Sequence, residues 1–310
     1  MNSQSSKTKT NTKQCPDAEL QVAPSMLDIL KLEARSASSF QSCVQRENFR
    51  SHLFGGQVIA QALRAACHTV DSDRCAHSLH AYFLRAGTAA KPVDYEVENL
   101  RDGKSISSRR ILAKQDKHVL FSMSASFHKH EQGFSHQQDI DLSDCPSPEQ
   151  LLQQKQKEQE KHGAKPAQST VNTMPFEFVS ASGDLFLSEQ VQAPEARFWL
   201  RSALPEHTSS IEQACALAYV SDLGLLATAV LPHPSNLFSD KLAPASIDHA
   251  LWLHNVDFDL NDWLLCCSTS PWAANARGFT TARFYDRRGV LVASAAQEGL
   301  LRFNSYTEEK

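Results

Sequence analysis

Residues 211–230 read IEQACALAYVSDLGLLATAV, an almost uninterrupted apolar stretch whose only acids are Glu212 and Asp222. A helix that is apolar nearly all round is a buried helix. Ser209-Ser210-Ile211-Glu212 precedes it as a capping box, with Ser209 at N-cap and Glu212 at N3, so the pattern predicts a helix over about 210–226. Asp222 falls inside it. A carboxylate there loses water and must find hydrogen bonds, or its pKa rises. Two readings stand: a structural Asp satisfied by nearby backbone, or a carboxylate that does chemistry.

Around this helix the period changes from helical to alternating. Strand patterns precede it at 175–180 and 196–203 and follow it at 246–256, 263–270, 278–285 and 290–302, with Arg287-Arg288-Gly289 as the last turn. The first half runs in the same order. A helix is predicted at 55–69 (GGQVIAQALRAACHT), then strands at 77–84, 93–100, 105–114 and 119–128, with Asp102-Gly103 as a hairpin signal. In the last of these Phe121, Met123, Ala125 and Phe127 alternate with Ser122, Ser124, Ser126 and His128, the mark of a sheet with one covered face.

The two halves also match in sequence. HAYFLR at 80–85 aligns with HALWLH at 249–254, an offset of 169, and VLFSMSA at 119–125 aligns with VLVASAA at 290–296, an offset of 171. Nearly equal offsets point to a duplicated α+β unit, an antiparallel sheet wrapped around a buried helix, occurring twice. The expected organisation is a disordered tail over 1–22, a first unit over 23–140, a polar connector over 141–172, a second unit over 173–304 and a short tail over 305–310. The connector's centre, QLLQQKQKEQEKHGAKPAQS, reads as solvated and partly helical after Pro148.

Composition narrows the function classes. Hydrophobic content of 41% with 21% charged residues describes a soluble globular chain, and a net charge of −4 gives no general attraction to nucleic acid. No apolar run free of charge reaches the roughly 18 residues a membrane span needs; Glu212, Gln213 and Asp222 interrupt the nearest one. The first twenty residues lack the apolar core of a secretory signal, and the chain does not end in Ser-Lys-Leu. Eight scattered cysteines with no Cys-x-x-Cys pair read as reduced thiols in a cytosol-like compartment, with a peroxisomal one left open.

Six stretches carry a family resemblance. They are Leu53-Phe54-Gly55-Gly56-Gln57-Val58 with Ala60-Gln61-Ala62-Leu63, the run from His77 to Gly87, Leu100-Arg101-Asp102-Gly103-Lys104-Ser105, Ser221-Asp222-Leu223, Ile247-Asp248-His249-Ala250-Leu251-Trp252, and Gln297-Glu298-Gly299. In that order, over roughly 27–137 and 175–302, the chain resembles the acyl-CoA thioesterase II family. The resemblance implies a double hotdog fold and hydrolysis of acyl-CoA to fatty acid and CoA. It also implies a catalytic set of an Asp on the second helix, a Thr or Ser on a following strand and a Gln on the last strand. By motif these fall on Asp222, Ser246 and Gln297.

Thioester hydrolysis needs an activated water, a base and help for the developing oxyanion. Asp222 would polarise the water or take its proton, and Ser246 and Gln297 would fix its direction, with no metal or organic cofactor. Gly55-Gly56 would let a ligand approach the start of the first helix, or would simply form its starting turn. His77 is a candidate pocket residue. Arg85, Arg101, Lys104, Arg109, Arg110 and Arg277 are candidates for the CoA phosphates. At the two offsets Ser246 corresponds to His77 and Gln297 to Ser126, and no acid occurs from His52 to Val70, so one complete trio per chain is expected.

Alternatives stay open here. The protein could be a non-catalytic acyl-CoA binding module or another thioester enzyme such as a hydratase. Ser246 could be a nucleophile with His249 as base, although three residues on a strand put the two side chains on opposite faces and no Gly-x-Ser-x-Gly elbow is present. The same spacing argues against His77 and His80 as metal ligands. A dimer or tetramer is expected, because a double hotdog leaves sheet edges and faces to pair.

Overall fold

A computed structural model describes residues 24–48, 52–162 and 174–304. Both predicted tails and part of the connector therefore lie outside the described residues. In chain order the elements are α1 (Met26–Leu30), β1 (Leu32–Ser36), β2 (Ser39–Ser42), α2 (Gly55–Cys67), β3 (Arg74–Phe83), β4 (Asp94–Asp102), β5 (Ile106–Gln115), β6 (His118–Lys129) and α3 (Pro148–His162). The second half continues with β7 (Glu177–Ser180), β8 (Glu195–Arg201), α4 (Ser210–Val220), α5 (Leu225–Val230), β9 (Leu242–Ser246), β10 (Asp248–Leu253), β11 (Leu264–Ala274), β12 (Arg277–Tyr285) and β13 (Leu291–Phe303).

Thirteen strands form one sheet in the order β1-β2-β4-β5-β6-β3-β10-β13-β12-β11-β8-β7, with β9 also on β13. Every pairing is antiparallel. The sheet curls twice, around α2 in the first half and around α4 and α5 in the second. α2 and α4 pack on one another where the curls meet. Their apolar faces and that of α5 supply the core: Ile59, Leu63, Leu217 and Leu225 are each 0% exposed. Side chains of that size stabilise the fold by roughly 1.5–3 kcal/mol each when fully buried.

The halves join through β3 and β10, with His80 opposite Ala250 and Ala81 opposite His249. These are the strands that carry the repeated motif, which pairs with its own copy as in an isologous dimer. The predicted offsets are each one residue out. Leu79 and Ala81 face the core in β3, as His249, Leu251 and Leu253 do in β10, so an odd offset would turn every side chain to the wrong face. The even offsets nearest to the sequence match align Ala81 with Leu251, 170 residues on, and their partners Met123 and Ala295, 172 on. Gln297 then corresponds to core-facing Ala125, not to Ser126.

The capping box forms as predicted: the Ser209 side chain accepts from the Glu212 N–H and Glu212 accepts from the Ser209 N–H. The single helix expected over 210–226 does not. α4 ends with Ser221 as C-cap, and Gly224, at φ 79°, starts α5. That left-handed conformation suits glycine, and a Cβ there would also lie 3.2 Å from Leu185 and Phe198. Ser210–Val230 meets the length and hydropathy of a membrane span, yet it is broken and almost wholly enclosed by protein.

Three other expectations change. The strand predicted over 246–256 is two, β9 and β10, with a break at Ile247. α1, β1 and β2 go beyond the predicted elements: β1 is largely exposed and shows no alternation to read, and α1 and β2 are only five and four residues long. The connector's centre is helical and largely exposed over Pro148–His162, but the chain that leads into it is docked. Ile140, Leu142 and Leu151 pack against Trp199, Trp263 and Leu265 of the second half, and the Trp199 indole N–H donates to the Pro146 carbonyl at 3.0 Å.

Candidate active site

The helix break places Asp222 where a helix could not. Its carboxylate accepts from Gln297 Nε2 at 2.9 Å, and the same nitrogen donates to Ser246 Oγ at 2.7 Å. Gln297 comes from β13 and Ser246 from the last position of β9, two strands that pair with Gly299 opposite Ser246. Asp222, Ser246 and Gln297 are thus joined through one amide.

Asp222 belongs to the second half but lies against the first. A Cβ on Gly55 would sit 2.7 Å from Asp222 Oδ2. The Gly56 backbone N–H hydrogen-bonds the Asp222 carboxylate. No side chain of its own half caps α2, so Asp222 meets the unpaired N–H groups and positive end of that helix from across the interface. Burial raises its carboxyl to about 7, against the opposing pull of the Gln297 and Gly56 hydrogen bonds.

The trio opens on a cavity of about 400 Å³ between the halves. Its wall is mainly apolar: Phe54, Phe83 and Phe121 from the first half, Phe186, Leu226 and Phe238 from the second. Arg85 lines it too, with its guanidinium donating to the Val119 carbonyl at 2.9 Å. An apolar cleft with a few convergent polar groups is the usual form of a small-molecule site.

The remaining candidates separate clearly. Gly55 lines the cavity, but what approaches it is Asp222 and Phe83. Gly56 lies off the cavity, and a Cβ there would overlap the Tyr219 carbonyl and the Phe54 ring, so its smallness serves helix packing. Arg85 is the one basic candidate on the cavity wall; Arg101 and Arg109 are not on it. Arg109 is 2% exposed and locked in place. It donates to the Thr69 hydroxyl and carbonyl at 2.8 and 2.7 Å and pairs with Asp102 at 2.9 Å, bracing the end of α2 against the β4–β5 hairpin.

His77 also leaves the site. A bulge between Ala76 and Ser78 turns it to the outer face of the sheet, where its Nε2 pairs with Ser126 Oγ at 2.8 Å and its ring meets His128. His80 lies on that same outer face, against Trp252, so the expected opposite-face arrangement is lost. The break at Ile247 does the reverse for Ser246 and His249. Both come to the Gln297 side, yet His249 pairs with Ser221 at 3.0 Å rather than with Ser246.

Comparison with known proteins places both halves. Residues 45–128 match the family model described as the acyl-CoA thioesterase N-terminal domain, and 144–301 match the acyl-CoA thioesterase C-terminal domain. The chain is 34% identical to acyl-CoA thioesterase 2 of Haemophilus influenzae over 90% of this chain and 97% of that one. It is also 34% identical to acyl-coenzyme A thioesterase 8 of Mus musculus, over 83% and 82%. Among solved structures, acyl-CoA thioesterase II TesB2 from Mycobacterium marinum superposes with a TM-score of 0.74 at 34% identity, covering 91% of this chain and 100% of that one. A hot dog fold protein from Alicyclobacillus acidocaldarius superposes with a TM-score of 0.69 at 18% identity, over 89% and 97%, a likeness of fold.

Proposed function

Since this chain belongs to the acyl-CoA thioesterase II family and is an acyl-CoA hydrolase with a double hotdog fold, we propose that a water held by Asp222, Ser246 and Gln297 attacks the thioester. The observation that carries this reading is the single Gln297 amide tying Asp222 to Ser246 at the wall of an apolar cavity. The water oxygen bonds to the carbonyl carbon while Asp222 takes its proton. The tetrahedral adduct collapses, the C–S bond breaks, and the sulfur leaves with the proton returned from Asp222. A base near 7 suits both transfers at neutral pH.

The fatty acyl chain occupies the apolar part of the cavity, and Arg85 meets a phosphate of CoA at its mouth. The proposed divisions are 23–140, 141–172 and 173–304. A homo-oligomer, dimer or tetramer, is supported by Tyr82 and Trp252, which stay exposed on the outer sheet face where the halves join.

CoA release from short, medium and long acyl-CoAs, read with a thiol-reactive dye, tests the mechanism. Asp222→Asn is expected to lower release at least about a hundredfold, the scale of losing a general base, with its fold kept. Undiminished hydrolysis in that variant overturns the site. An acyl group trapped on Ser246 by hydroxylamine overturns direct attack by water.

A further inference from the structure

The trio uses only one end of Gln297. Its Nε2 gives both hydrogens away, to Asp222 and Ser246. Its Oε1 is buried and has no partner. Two more unpartnered buried atoms stand in the same row, His249 Nδ1 and Thr280 Oγ1. Strand pairing sets Thr280 opposite Gln297 across β12 and β13. Ala250 lies opposite Ala296 across β10 and β13, which brings the next residues, His249 and Gln297, face to face. The three side chains are at most 1% exposed. Directly opposed residues of one sheet face have Cβ atoms about 4.5–5.5 Å apart.

The other ring nitrogen is engaged. His249 Nε2 lies 3.0 Å from Ser221 Oγ, and Ser221 is the residue before Asp222 at the helix break. The tautomer follows from the amide. A carbonyl oxygen only accepts, so a lone pair on Nδ1 would face it unfavourably, whereas Nδ1–H satisfies both atoms. Nε2 then carries the lone pair and takes the Ser221 hydroxyl hydrogen in competition with the Ala218 carbonyl, which lies 3.0 Å from the same Oγ. Burial keeps the ring neutral, lowering its pKa to about 4 against a smaller upward pull from Gln297.

We propose that His249 is a positioning residue: its Nδ1–H holds Gln297 Oε1, fixing the amide with its NH2 toward Asp222 and Ser246, while its Nε2 faces the Ser221 hydroxyl on the far side. A planar amide turned over would present oxygen to the Asp222 carboxylate and lose both donations. Thr280, whose hydroxyl has no partner of its own, stands on the opposite flank of the same amide. The inference rests on the trio reading above.

The test uses the full chain. Nitrogen-15 spectra of the histidine rings at neutral pH report the tautomer, with His249→Asn assigning the signal by its loss. The expected ring carries its proton on Nδ1, and Gln297→Ala shifts that balance. His249→Leu is expected to lower kcat about tenfold or more, the scale of one buried hydrogen bond, with KM little changed. His249→Asn keeps an N–H at the Nδ1 position and is expected to recover most of the loss. A ring protonated on Nε2 in the wild type overturns the proposal, and so does an undiminished kcat in the Leu variant or an Asn variant no better than Leu. Because the tautomer is read in unmutated protein, a variant that fails to fold leaves the proposal open to refutation. An active Asp222→Asn enzyme overturns the trio and this role together; an inactive one with an Nε2–H ring overturns the positioning role alone.

Discussion

Helix α2 runs unbroken from Gly55 to Cys67, whereas its counterpart in the second half stops at Val220, turns, and resumes at Leu225. The strands behind them differ in the same direction. Where the second half carries His249 and Gln297 in its core row, the first carries Leu79 and Ala125, all facing inward. The first half keeps a continuous helix, and the buried amides along it, Gln57 and Gln61, donate to the Val44 and Ile29 carbonyls. The second has given up a turn of helix and placed polar groups in the strand row behind it. Neither holds the site alone, since the broken helix supplies Asp222 and the intact one supplies the N-terminus against which it rests. Duplication in one chain lets the two copies take these opposite tasks, which two identical subunits cannot do without each carrying both.

The most direct way to break this comparison is to substitute supposed equivalents. Gln297→Ala removes the group that ties Asp222 to Ser246 and is expected to lower kcat about a hundredfold or more, the scale of a lost preorganised donor. Ser126→Ala changes the residue that sequence alignment alone would match to Gln297. Its hydroxyl bonds His77 on the outer face, so kcat should stay within about twofold, as for surface positions generally. Comparable losses in both variants would mean that the first half takes part in the chemistry and that the even offsets are wrong.

A smaller effect separates the two glycines that open α2. A Cβ on Gly55 would press on Asp222 Oδ2 at 2.7 Å and on the Phe83 ring at 3.1 Å. Gly55→Ala should therefore lower kcat about tenfold, the scale of a misplaced catalytic group, with little change in thermal midpoint. A Cβ on Gly56 meets the Tyr219 backbone carbonyl, which cannot step aside. Gly56→Ala should instead lower the midpoint by several degrees, in the manner of an overpacked core. Steady-state kinetics beside thermal melts of the two variants checks the division, and the reverse pattern would place the substrate at Gly56.

Much of this was legible in sequence because period and capping are local. The alternation of β6, the Ser209–Glu212 box and the Asp102-Gly103 turn are written in adjacent residues. The trio was reached through motif resemblance, and the structure brings its three side chains together. What failed was non-local or turned on one residue. A bulge at Ala76/Ser78 reversed His77, and the break at Ile247 brought Ser246 and His249 to one side. Arg109 looked like a phosphate ligand because burial of an arginine by Thr69, Asn99 and Asp102, gathered from three places in the chain, has no signature in its neighbours. Gly224 was a local signal missed: a glycine two residues after the acid, inside an apolar helix pattern, marks a possible break. The Ser25–Asp28 capping box of α1 was another.

The smallest effect bears on what the second half gave up. Asp222 titrates near 7 in the folded chain against an ordinary 3.8, chiefly because it is buried. The folded state therefore binds a proton more tightly than the unfolded one between those values. The Asp222 contribution to stability is fully present below about 4 and is lost as pH rises through 7. Asn at this position has no such dependence and can still accept from the Gly56 N–H. The thermal midpoint of Asp222→Asn minus that of the wild type should thus grow between pH 4 and pH 8, by about 2–5 °C for a chain of this size, and level off above. The gain appears in the pH range where hydrolysis needs the carboxylate ionised, so this variant is expected to be more stable and inactive under the same conditions. A midpoint difference independent of pH would mean that Asp222 is ionised in the free enzyme at ordinary carboxylate pH. The helix break would then carry no electrostatic cost, and the contrast between the two halves would reduce to backbone shape.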